Sequence, residues 1–384
     1  MKKAIKVLLL TVLISSLCGC MTAGVTKKII SENKAEETVE ETQAQTEEEI
    51  EAELQEVFDD VEATEEVVVD ADDFEVIDTA ERVVPEHGLQ VIGANICDEN
   101  GEIFQLKGIS THGIQWFPQY INQDLFTQMH TEWNCNVVRI ANYVMEYDGY
   151  CNGGDQNKLK GLIDDAVKYA TNEGMYSIID WHVMREGDPR LHTEESIEFF
   201  DEMSKKYADN PYVIYEICNE PNGKGINWDP IYEYAEQVIP VIRANSLYSV
   251  IIVGTPMYSA APSEPFKKVL PYDNLAYAYH FYAKSHRESR MEDVKKAYNE
   301  GVPLIVSEFG TVANSGSGNP DDEMADKWIE LLDELGIGYI CWNLSNNEET
   351  SAIIVADCDK VSGFTYEELK PQGQWLVDTL TNKK

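Results

Sequence analysis

Short, almost continuously apolar runs alternate along residues 83–384 with longer segments in which apolar residues recur every three or four positions. The short runs have the character of parallel strands buried on both faces, and the longer segments have the spacing of amphipathic helices. Eight strands are predicted, at Ile103–Ile109, Asn136–Ala141, Tyr176–Trp181, Val213–Cys218, Val250–Gly254, Leu275–His280, Leu304–Phe309 and Ile337–Leu344. Eight strand–helix units in about 300 residues favour a closed (β/α)8 TIM barrel over an open doubly wound sheet.

The segments between and after these strands predict the helices of such a barrel. The clearest are Leu159–Ala170, Ile231–Ile242, Met291–Tyr298, Met324–Leu335 and Trp375–Leu380. The helix expected after the fifth strand, around Pro265–Leu270, is weak. Ahead of the first strand, Asp98-Glu99-Asn100-Gly101 predicts the turn of a hairpin between two short apolar runs.

The first twenty residues predict an export signal. Three lysines among the first six residues precede the apolar run Val7–Ile14, which is too short to span a bilayer. Leu17-Cys18-Gly19-Cys20 then resembles the bacterial lipobox, which implies cleavage before Cys20 and attachment of lipid to that residue. Ordinary signal-peptide cleavage nearby, with Cys20 incidental, is the alternative. We therefore expect a protein anchored by lipid on the extracellular face of the bacterial cell membrane, or otherwise secreted.

The charge of −39 is concentrated ahead of the predicted barrel. Residues 31–82 hold 22 acidic and 2 basic side chains without a long apolar period, so we expect a disordered, self-repelling spacer. One solvated helix from Glu47 to Val61 is the alternative. The chain thus divides into a signal peptide (1–19), a lipid-anchored acidic linker (20–82) and the barrel domain (83–384). The acidic excess argues against a nucleic-acid partner, because phosphate binding depends on Lys and Arg.

Six cysteines follow the signal, and their spacing does not indicate a metal. They are Cys97, Cys135, Cys151, Cys218, Cys341 and Cys358. None forms a C-x-x-C pair, and no H-E-x-x-H motif occurs, so neither a metal site nor a cofactor is predicted. Cys218 and Cys341 lie in apolar runs and are predicted to be buried. Export permits disulfides, but the spacing favours no pair.

Seven of the eight predicted strands end in, or are followed by, polar or aromatic residues. These residues are His112, Trp116, Arg139, His182, Asn219, Glu220, His280, Tyr282, Glu308 and Trp342. In a (β/α)8 barrel, the C-terminal ends of all the strands face one bowl, where catalysis takes place. Buried charges that do not pair are costly, so folding alone does not account for this set.

Two glutamates in this set have the spacing of a catalytic pair. Glu220 and Glu308 are 88 residues apart, which is three βα units at about 30 residues each. They would face each other from strands four and seven, as glycoside hydrolysis requires of its acid and its nucleophile. We expect Arg139 to keep Glu308 ionised and the neighbouring negative charge to raise the pKa of Glu220. A structural acid pair is the alternative.

Seven stretches carry a resemblance to a known family. They are LKGISTHGIQW (106–116), VVRIANY (137–143), IIDWH (178–182), VIYEICNEPNG (213–223), YAYHFYA (277–283), LIVSEFGTVANSGSG (304–318) and CWNLSNNEETS (341–351). With these motifs in family order, residues 83–384 resemble glycoside hydrolase family 5, and more narrowly its subfamily 2 of bacterial endo-β-1,4-glucanases.

The resemblance implies a role for each matching residue. Glu220 corresponds to the general acid/base and Glu308 to the nucleophile of a retaining double displacement. Asn219 corresponds to the residue that hydrogen-bonds the sugar 2-hydroxyl. Arg139 and Tyr282 match the groups that position and ionise the nucleophile.

The remaining matches concern the acid/base and the sugar-binding floor. His280 corresponds to a partner of the acid/base, and His112 and His182 line the reacting subsite. Trp116 and Trp342 match platforms on which glucose rings stack, and Tyr143 lies near the same floor. The sequence departs from the family in the loop after the eighth strand. Relatives have Lys two residues before a Glu, whereas Asn347 precedes Glu349 here, so the substrate-binding role of Glu349 stays open.

These observations lead to an endo-acting, retaining β-1,4-glucanase that hydrolyses cellulose-type glucans. A β-mannanase or a broad β-glucanase on the same scaffold is the alternative within enzymes. From another class, a non-catalytic glycan-binding surface lipoprotein would keep the barrel. The expected partners are a β-1,4-linked glucan and, through the lipid, a membrane, and the barrel is expected to be a monomer.

Overall fold

The computed structural model describes residues 84–383, and within that range eight parallel strands close into a barrel. The predicted signal peptide, Cys20 and the acidic linker lie outside the described residues. The strands are β3 (Lys107–Thr111), β4 (Val137–Tyr143), β5 (Tyr176–His182), β6 (Val213–Glu216), β7 (Ile251–Val253), β8 (Leu275–Tyr282), β9 (Leu304–Gly310) and β10 (Tyr339–Leu344). They pair in chain order, and β10 pairs with β3 to close the barrel. The predicted TIM barrel is confirmed.

Helices follow the strands on the outside of the barrel. They are α1 (Gln123–Thr131), α2 (Gln156–Asn172), α3 (Thr193–Lys206), α4 (Trp228–Asn245), α5 (Glu288–Asn299), α6 (Asp322–Leu335) and α7 (Pro371–Leu380). Side chains of Asn122, Asp155, Asn227 and Asp321 accept hydrogen bonds from backbone amides in the first turns of α1, α2, α4 and α6. Within residues 84–383 no helix is both long enough and apolar enough to cross a bilayer.

The segment ahead of the barrel has one more turn than the sequence predicted. A hairpin pairs β1 (Gln90–Ile92) with β2 (Asn95–Cys97). The predicted turn at residues 98–101 is present after it, with Gly101 N donating to Asp98 O at 3.1 Å, and it is closed by an isolated antiparallel bridge between Cys97 and Ile103. The first barrel strand therefore begins at Lys107 rather than at Ile103.

The weak fifth helix is replaced by two short elements. A turn at Pro256–Ser259 comes first, and a 3₁₀ helix follows at Glu264–Lys267. The fifth strand therefore returns to the sixth without a full helix on its outer face.

Aliphatic side chains fill the lower half of the barrel, at the N-terminal ends of the strands. The cluster includes Val137, Ile178, Ile214, Ile252, Ala278, Ile305 and Ile340, all buried. Close strand contact here depends on Gly108, where an added Cβ would lie 1.9 Å from the carbonyl oxygen of Val137. A larger apolar cluster between the strands and the helices includes Cys218 and Cys341, whose predicted burial is confirmed.

The hairpin lies across the lower mouth of the barrel. Leu89 and Ile96 pack into the aliphatic cluster of the lower half. The side-chain amide of Asn274, the residue before β8, donates to Leu89 O at 3.1 Å, and its Oδ1 accepts from Val91 N at 2.6 Å. Tyr176, the first residue of β5, donates to His87 O at 2.7 Å. The chain therefore enters the barrel from the end opposite the C-terminal ends of the strands.

Candidate active site

The side chains that point into the barrel are aliphatic in the lower half of each strand. Two residues further along the same strands they are charged or polar. In β4 Val137 is followed by Arg139, in β5 Ile178 by Asp180 and His182, and in β6 Ile214 by Glu216. Because alternate residues of a strand share a face, these polar side chains project into the barrel directly above the aliphatic layer. The candidate site is built in this upper layer.

Arg139 lies at the centre of the upper layer and is fully buried. Its guanidinium donates to Glu216 Oε2 at 2.7 Å and to Asn219 Oδ1 at 2.6 Å. It also lies 3.0 Å from Asp180 Oδ2 and 3.3 Å from Glu308 Oε2. One cation thus pairs with three buried carboxylates, so the centre of the site has an excess of negative charge. Burial is the largest cause that raises the pKa of Asp180, to about 7, and Arg139 opposes it.

An irregularity in strand pairing brings Glu308 into the bowl. The register between β8 and β9 shifts between Ala278 and His280, so that His280 pairs with Glu308. Such shifts re-aim side chains near active sites. Tyr282 then donates its hydroxyl to Glu308 Oε1 at 2.7 Å, while Arg139 donates to Oε2. Both oxygens of Glu308 therefore accept hydrogen bonds, which favours the carboxylate form.

A chain of hydrogen bonds on the other side of the bowl determines the protonation of Glu220. The Ser307 hydroxyl donates to Glu216 Oε1 at 2.6 Å, so its oxygen must accept from His280 Nε2 at 2.9 Å. Burial lowers the pKa of His280 to about 4, so the ring is neutral near pH 7 and its Nδ1 has no proton. The 2.9 Å contact from Nδ1 to Glu220 Oε1 is then a hydrogen bond donated by a protonated Glu220.

The pKa values of both glutamates are raised, for partly different reasons. Burial is the largest cause for Glu220, and Asp180 and Glu216 add to it, giving a pKa of about 8. The sequence prediction of a neighbouring negative charge was therefore incomplete, because burial outweighs the charges. Arg139 lowers the pKa of Glu308, as expected, but burial is the larger cause, and with Glu220 close by the pKa is raised to about 7. Glu220 keeps its proton to the higher pH.

The separation of the two carboxyl groups limits the reaction they can perform. One oxygen of Glu220, one oxygen of Glu308 and one ring nitrogen of His280 all lie within 4.8 Å of one another. Retaining glycosidases hold their carboxyl groups about 5–5.5 Å apart, whereas inverting enzymes need about 6.5–9.5 Å to admit a water molecule. The spacing fits direct attack by a carboxylate. These ligand atoms could also approach a metal, but each glutamate is already hydrogen-bonded by protein groups.

Asn219, next to the glutamate pair, is held in place by several hydrogen bonds. Its Oδ1 accepts from Arg139, and its Nδ2 donates to Val183 O at 3.2 Å. Its carbonyl oxygen accepts from Ser259 Oγ at 2.6 Å. Ser259 ends a turn in which three successive residues have positive φ, at 61°, 59° and 56°. None of these three residues is a glycine, so their backbone is strained. The turn supports the segment after β6 that carries Asn219 and Glu220.

Aromatic rings form a continuous wall next to the carboxylates. Trp342 stacks on His182 with centroids 5.4 Å apart, and Tyr143 lies 4.0 Å from the same ring. Trp116 and His112 extend the wall, at 4.8 Å from Tyr143 and 5.2 Å from Trp342 respectively. Burial lowers the pKa of His112 to about 4, so its ring is neutral near pH 7. A neutral aromatic wall suits the apolar face of a pyranose ring.

Glu349 lies in a separate cluster. Its Oε2 accepts from Ser351 Oγ at 3.4 Å, and Gly316 packs nearby. Lys370 donates to the carbonyl oxygens of Asn347 and Glu349, at 2.6 Å for the latter. Among residues 84–383, no hydrogen bond or ion pair joins Glu349 to the glutamate pair, so its role stays a prediction.

The sequence reasoning missed Asp180, Glu216 and Ser307. Each is buried and hydrogen-bonds or ion-pairs with a predicted site residue. The signal was present, since each is a polar residue inside an apolar strand. Asp180 also lies on the same face as His182, two residues away.

Comparisons with known proteins match the same part of the chain. The family model described as Cellulase (glycosyl hydrolase family 5) matches residues 97–348. The chain is 44% identical to Endoglucanase A of Butyrivibrio fibrisolvens over 299 residues, which are 77% of this chain and 69% of that protein. It is 40% identical to Endoglucanase A of Evansella cellulosilytica over 281 residues, which are 73% of this chain and 57% of that protein. The chain thus spans little more than half to about two thirds of these relatives.

A solved structure covers the same region. The catalytic domain of Thermobifida fusca endoglucanase Cel5A is 36% identical, with a TM-score of 0.73 over 77% of this chain and 98% of that domain. A variant of that domain has been solved in complex with cellotetraose, with the same identity and TM-score. The likeness extends over the whole barrel.

Proposed function

The chain belongs to the cellulase family, glycosyl hydrolase family 5, and from that premise we propose that its barrel is an endo-acting β-1,4-glucanase. The proposed reaction is hydrolysis with retention at the anomeric carbon. Its substrates are cellulose-type β-glucans, in line with the names of the relatives and with the cellotetraose complex of the Thermobifida fusca domain.

One observation carries the proposal. The Glu216–Ser307–His280 chain of hydrogen bonds gives Glu220 a proton to donate, while Arg139 and Tyr282 donate to Glu308. One carboxyl group is therefore an acid and its partner is a carboxylate, within 4.8 Å. A glycan-binding protein would have no use for this difference in protonation, because binding neutral sugars requires neither proton transfer nor a buried anion.

The reaction follows from these two states. The Glu308 carboxylate attacks the anomeric carbon as the bond to the glycosidic oxygen breaks, and Glu220 gives that oxygen its proton. A glycosyl ester of Glu308 and a shortened glucan result. Water then loses a proton to Glu220 and attacks the same carbon, the ester bond breaks, and both glutamates return to their starting states.

The surrounding residues would hold the sugar for this reaction. Asn219 is fixed by Arg139 and Ser259 and would hydrogen-bond the 2-hydroxyl of the reacting sugar. Trp342 and Trp116 would pack against pyranose faces. Asn347 presents a neutral side chain where relatives carry a charged one, so binding two subsites from the cleavage point would be weaker or altered in preference.

The test compares polymers with one nucleophile variant. Full-length wild type and Glu308→Gln are incubated separately with carboxymethylcellulose, mixed-linkage β-glucan and galactomannan, and both reducing ends and viscosity are measured. An endo-acting enzyme lowers viscosity early, when few ends have been released. Glu300→Gln, at an exposed helix end, is the matched control for the loss of a carboxylate.

Each outcome discriminates between the hypotheses. Release from the two glucans, lost in Glu308→Gln and kept in Glu300→Gln, supports the proposal. Release from galactomannan alone keeps the mechanism and overturns the substrate. No release from any polymer would favour a glycan-binding protein.

We also propose that the protein is a lipoprotein at the extracellular face of the cell membrane. The apolar run Val7–Ile14, the lipobox-like Leu17-Cys18-Gly19-Cys20 and the acidic residues that follow support this location. Several acyl chains on one cysteine would give a stable anchor. Membrane fractions of cells producing wild type and Cys20→Ser test it. The wild type should sediment with membranes and the variant should be released, and equal sedimentation of both would contradict the anchor.

A further inference from the structure

A second group of metal-ligand side chains lies outside the catalytic bowl. Cys151 is in the loop after β4, His192 immediately precedes α3, and Glu195 lies in its first turn. One ligand atom from each lies within 4.8 Å of the other two, and all three residues are half-buried. Nothing in the proposed hydrolysis uses them.

The distance between His192 and Glu195 suits two ligands of one metal ion better than a hydrogen bond between the two side chains. Nδ1 of His192 is buried and makes no hydrogen bond within residues 84–383. It lies 3.5 Å from Glu195 Oε1. Two nitrogen or oxygen ligands of a tetrahedral zinc ion, each about 2.0–2.1 Å from the metal, are about 3.3 Å apart. The observed separation is close to this value.

The surroundings of the thiol also favour a cation. Glu186 has one buried oxygen without a hydrogen bond among the described residues. Glu195 and Glu186 lie close enough to Cys151 for their charges to act on its thiol. In the described part of the chain, Glu195 pairs with His192, and no lysine or arginine forms an ion pair with Glu195 or Glu186.

We propose that Cys151, His192 and Glu195 bind a zinc-class divalent cation. Thiolate and imidazole select zinc over calcium or magnesium, which prefer oxygen ligands. The thiol proton is released to solvent when the metal binds. The sequence did not indicate this site because the cysteine and the histidine are 41 residues apart and follow no short zinc motif.

The metal would have a structural role. It would join the loop after β4 to the start of α3, two segments already connected through the loop after β5. Arg185, in the loop after β5 that leads into α3, donates its backbone N–H to Glu146 Oε1, in the loop after β4, at 3.0 Å. Coordination would thus brace one wall of the bowl. The proposal is independent of the hydrolase activity, since no catalytic group takes part.

Cobalt binding gives a test that does not rely on activity. The full-length chain carrying Cys18→Ser and Cys20→Ser, so that thiols outside the barrel do not contribute, is titrated with Co²⁺ under a reductant that does not bind metal. We expect one equivalent to produce a thiolate-to-cobalt charge-transfer band, which Zn²⁺ abolishes by displacement. Zinc should also raise the melting temperature.

Variants locate the ion. Cys151→Ser should remove the charge-transfer band, and both Cys151→Ser and His192→Ala should weaken zinc binding by at least about tenfold. Cys358→Ser, at another half-buried thiol, and Glu194→Gln, at the exposed neighbour of Glu195, are matched controls and should bind like the parent.

Three results would overturn the proposal. The parent could fail to give a thiolate band, or the band could survive in Cys151→Ser. Cobalt could also bind without a thiolate band while hydrolysis is lost, which would place the ion at Glu220, His280 and Glu308. Should Cys151→Ser fold poorly, His192→Ala gives the same comparison with the thiol intact.

Discussion

The two halves of the barrel interior are built by the same strands and differ in chemistry. Below, Val137, Ile178 and Ile305 form part of an aliphatic layer. Two residues further along the same face, their counterparts are Arg139, Asp180 and Ser307. Both layers are fully buried. The lower one gains stability from burial, because apolar surface leaves water.

The upper layer has the opposite energetic character. Burying Asp180, Glu216 and Glu308 is unfavourable unless Arg139 and hydrogen bonds compensate. Their raised pKa values reflect that cost, since burial is the largest cause for each. The lower layer thus supplies the stability that lets the upper layer hold charges in reactive states. Variants in the two layers should therefore fail in different ways.

The largest expected effect separates activity from stability. Glu308→Gln should lower kcat by about 10⁴-fold or more, because the attacking carboxylate is lost, while the melting temperature stays close to that of wild type. Ile305→Ala, three residues earlier on the same strand, should cost about 2–5 kcal/mol of unfolding free energy and leave the activity of the folded protein unchanged. Kinetics and urea unfolding of both variants check this. Equal loss of stability in the two variants would show that the two layers do not divide stability and activity between them.

The acid should determine the alkaline side of the pH profile. Glu220 loses its proton as pH rises through about 8, so activity should fall above that pH. Glu220→Gln should slow polymer hydrolysis by about 10²–10⁴-fold and remove this alkaline limb. An aryl cellobioside with an acidic phenol needs no proton from the enzyme and should still be attacked. An alkaline limb that persists in Glu220→Gln would assign it to another group.

The same pKa shift affects stability with a defined sign. The folded-state pKa of Glu220 is above the unfolded value of about 4.3, so its contribution is full below the unfolded pKa and is lost as pH rises through about 8. Wild type should therefore lose stability relative to Glu220→Gln between about pH 5 and about pH 9. The difference in stability between wild type and a lower-layer variant should not depend on pH, because both keep Glu220.

Arg139→Met should destabilise the protein by about 3–5 kcal/mol, because three buried carboxylates lose their cation. The loss should be largest at neutral pH and smaller in acid, where protonation relieves the unpaired charges. Urea unfolding at several pH values measures it. Ile178→Val, in the lower layer, should cost about 0.5–1.5 kcal/mol at every pH. A pH-independent loss in Arg139→Met would argue against the carboxylates as its cause.

The smallest expected effect concerns the hydrogen-bond chain to the acid. Ser307→Ala leaves His280 Nε2 and Glu216 Oε1 without their partner and should lower kcat by about tenfold, with about 1–3 kcal/mol lost in stability. The alkaline limb should also shift, because the tautomer of His280 is no longer fixed. Ser307→Thr keeps the hydroxyl and should restore both. A normal pH profile in Ser307→Ala would mean that His280 is oriented in another way.

The sequence predicted the eight strands and the residues at their ends, because apolar runs and strand-end positions can be identified one strand at a time. It did not predict Asp180, Glu216 and Ser307, whose role depends on what lies opposite them across the barrel. It also missed the left-handed turn that ends at Ser259. Methionine, tyrosine and serine do not favour positive φ, and contacts to Asn219 and Pro221 impose that conformation.

The position of the hairpin at the lower mouth has a consequence for how the enzyme could be held. His87, Leu89 and Val91 are bonded to the ends of β5 and β8 that face away from the bowl. Under the anchoring through Cys20 proposed above, the pull of the anchor would reach the barrel at the hairpin, on the side away from the bowl. The catalytic glutamates would then lie on the part of the barrel that does not bear this load.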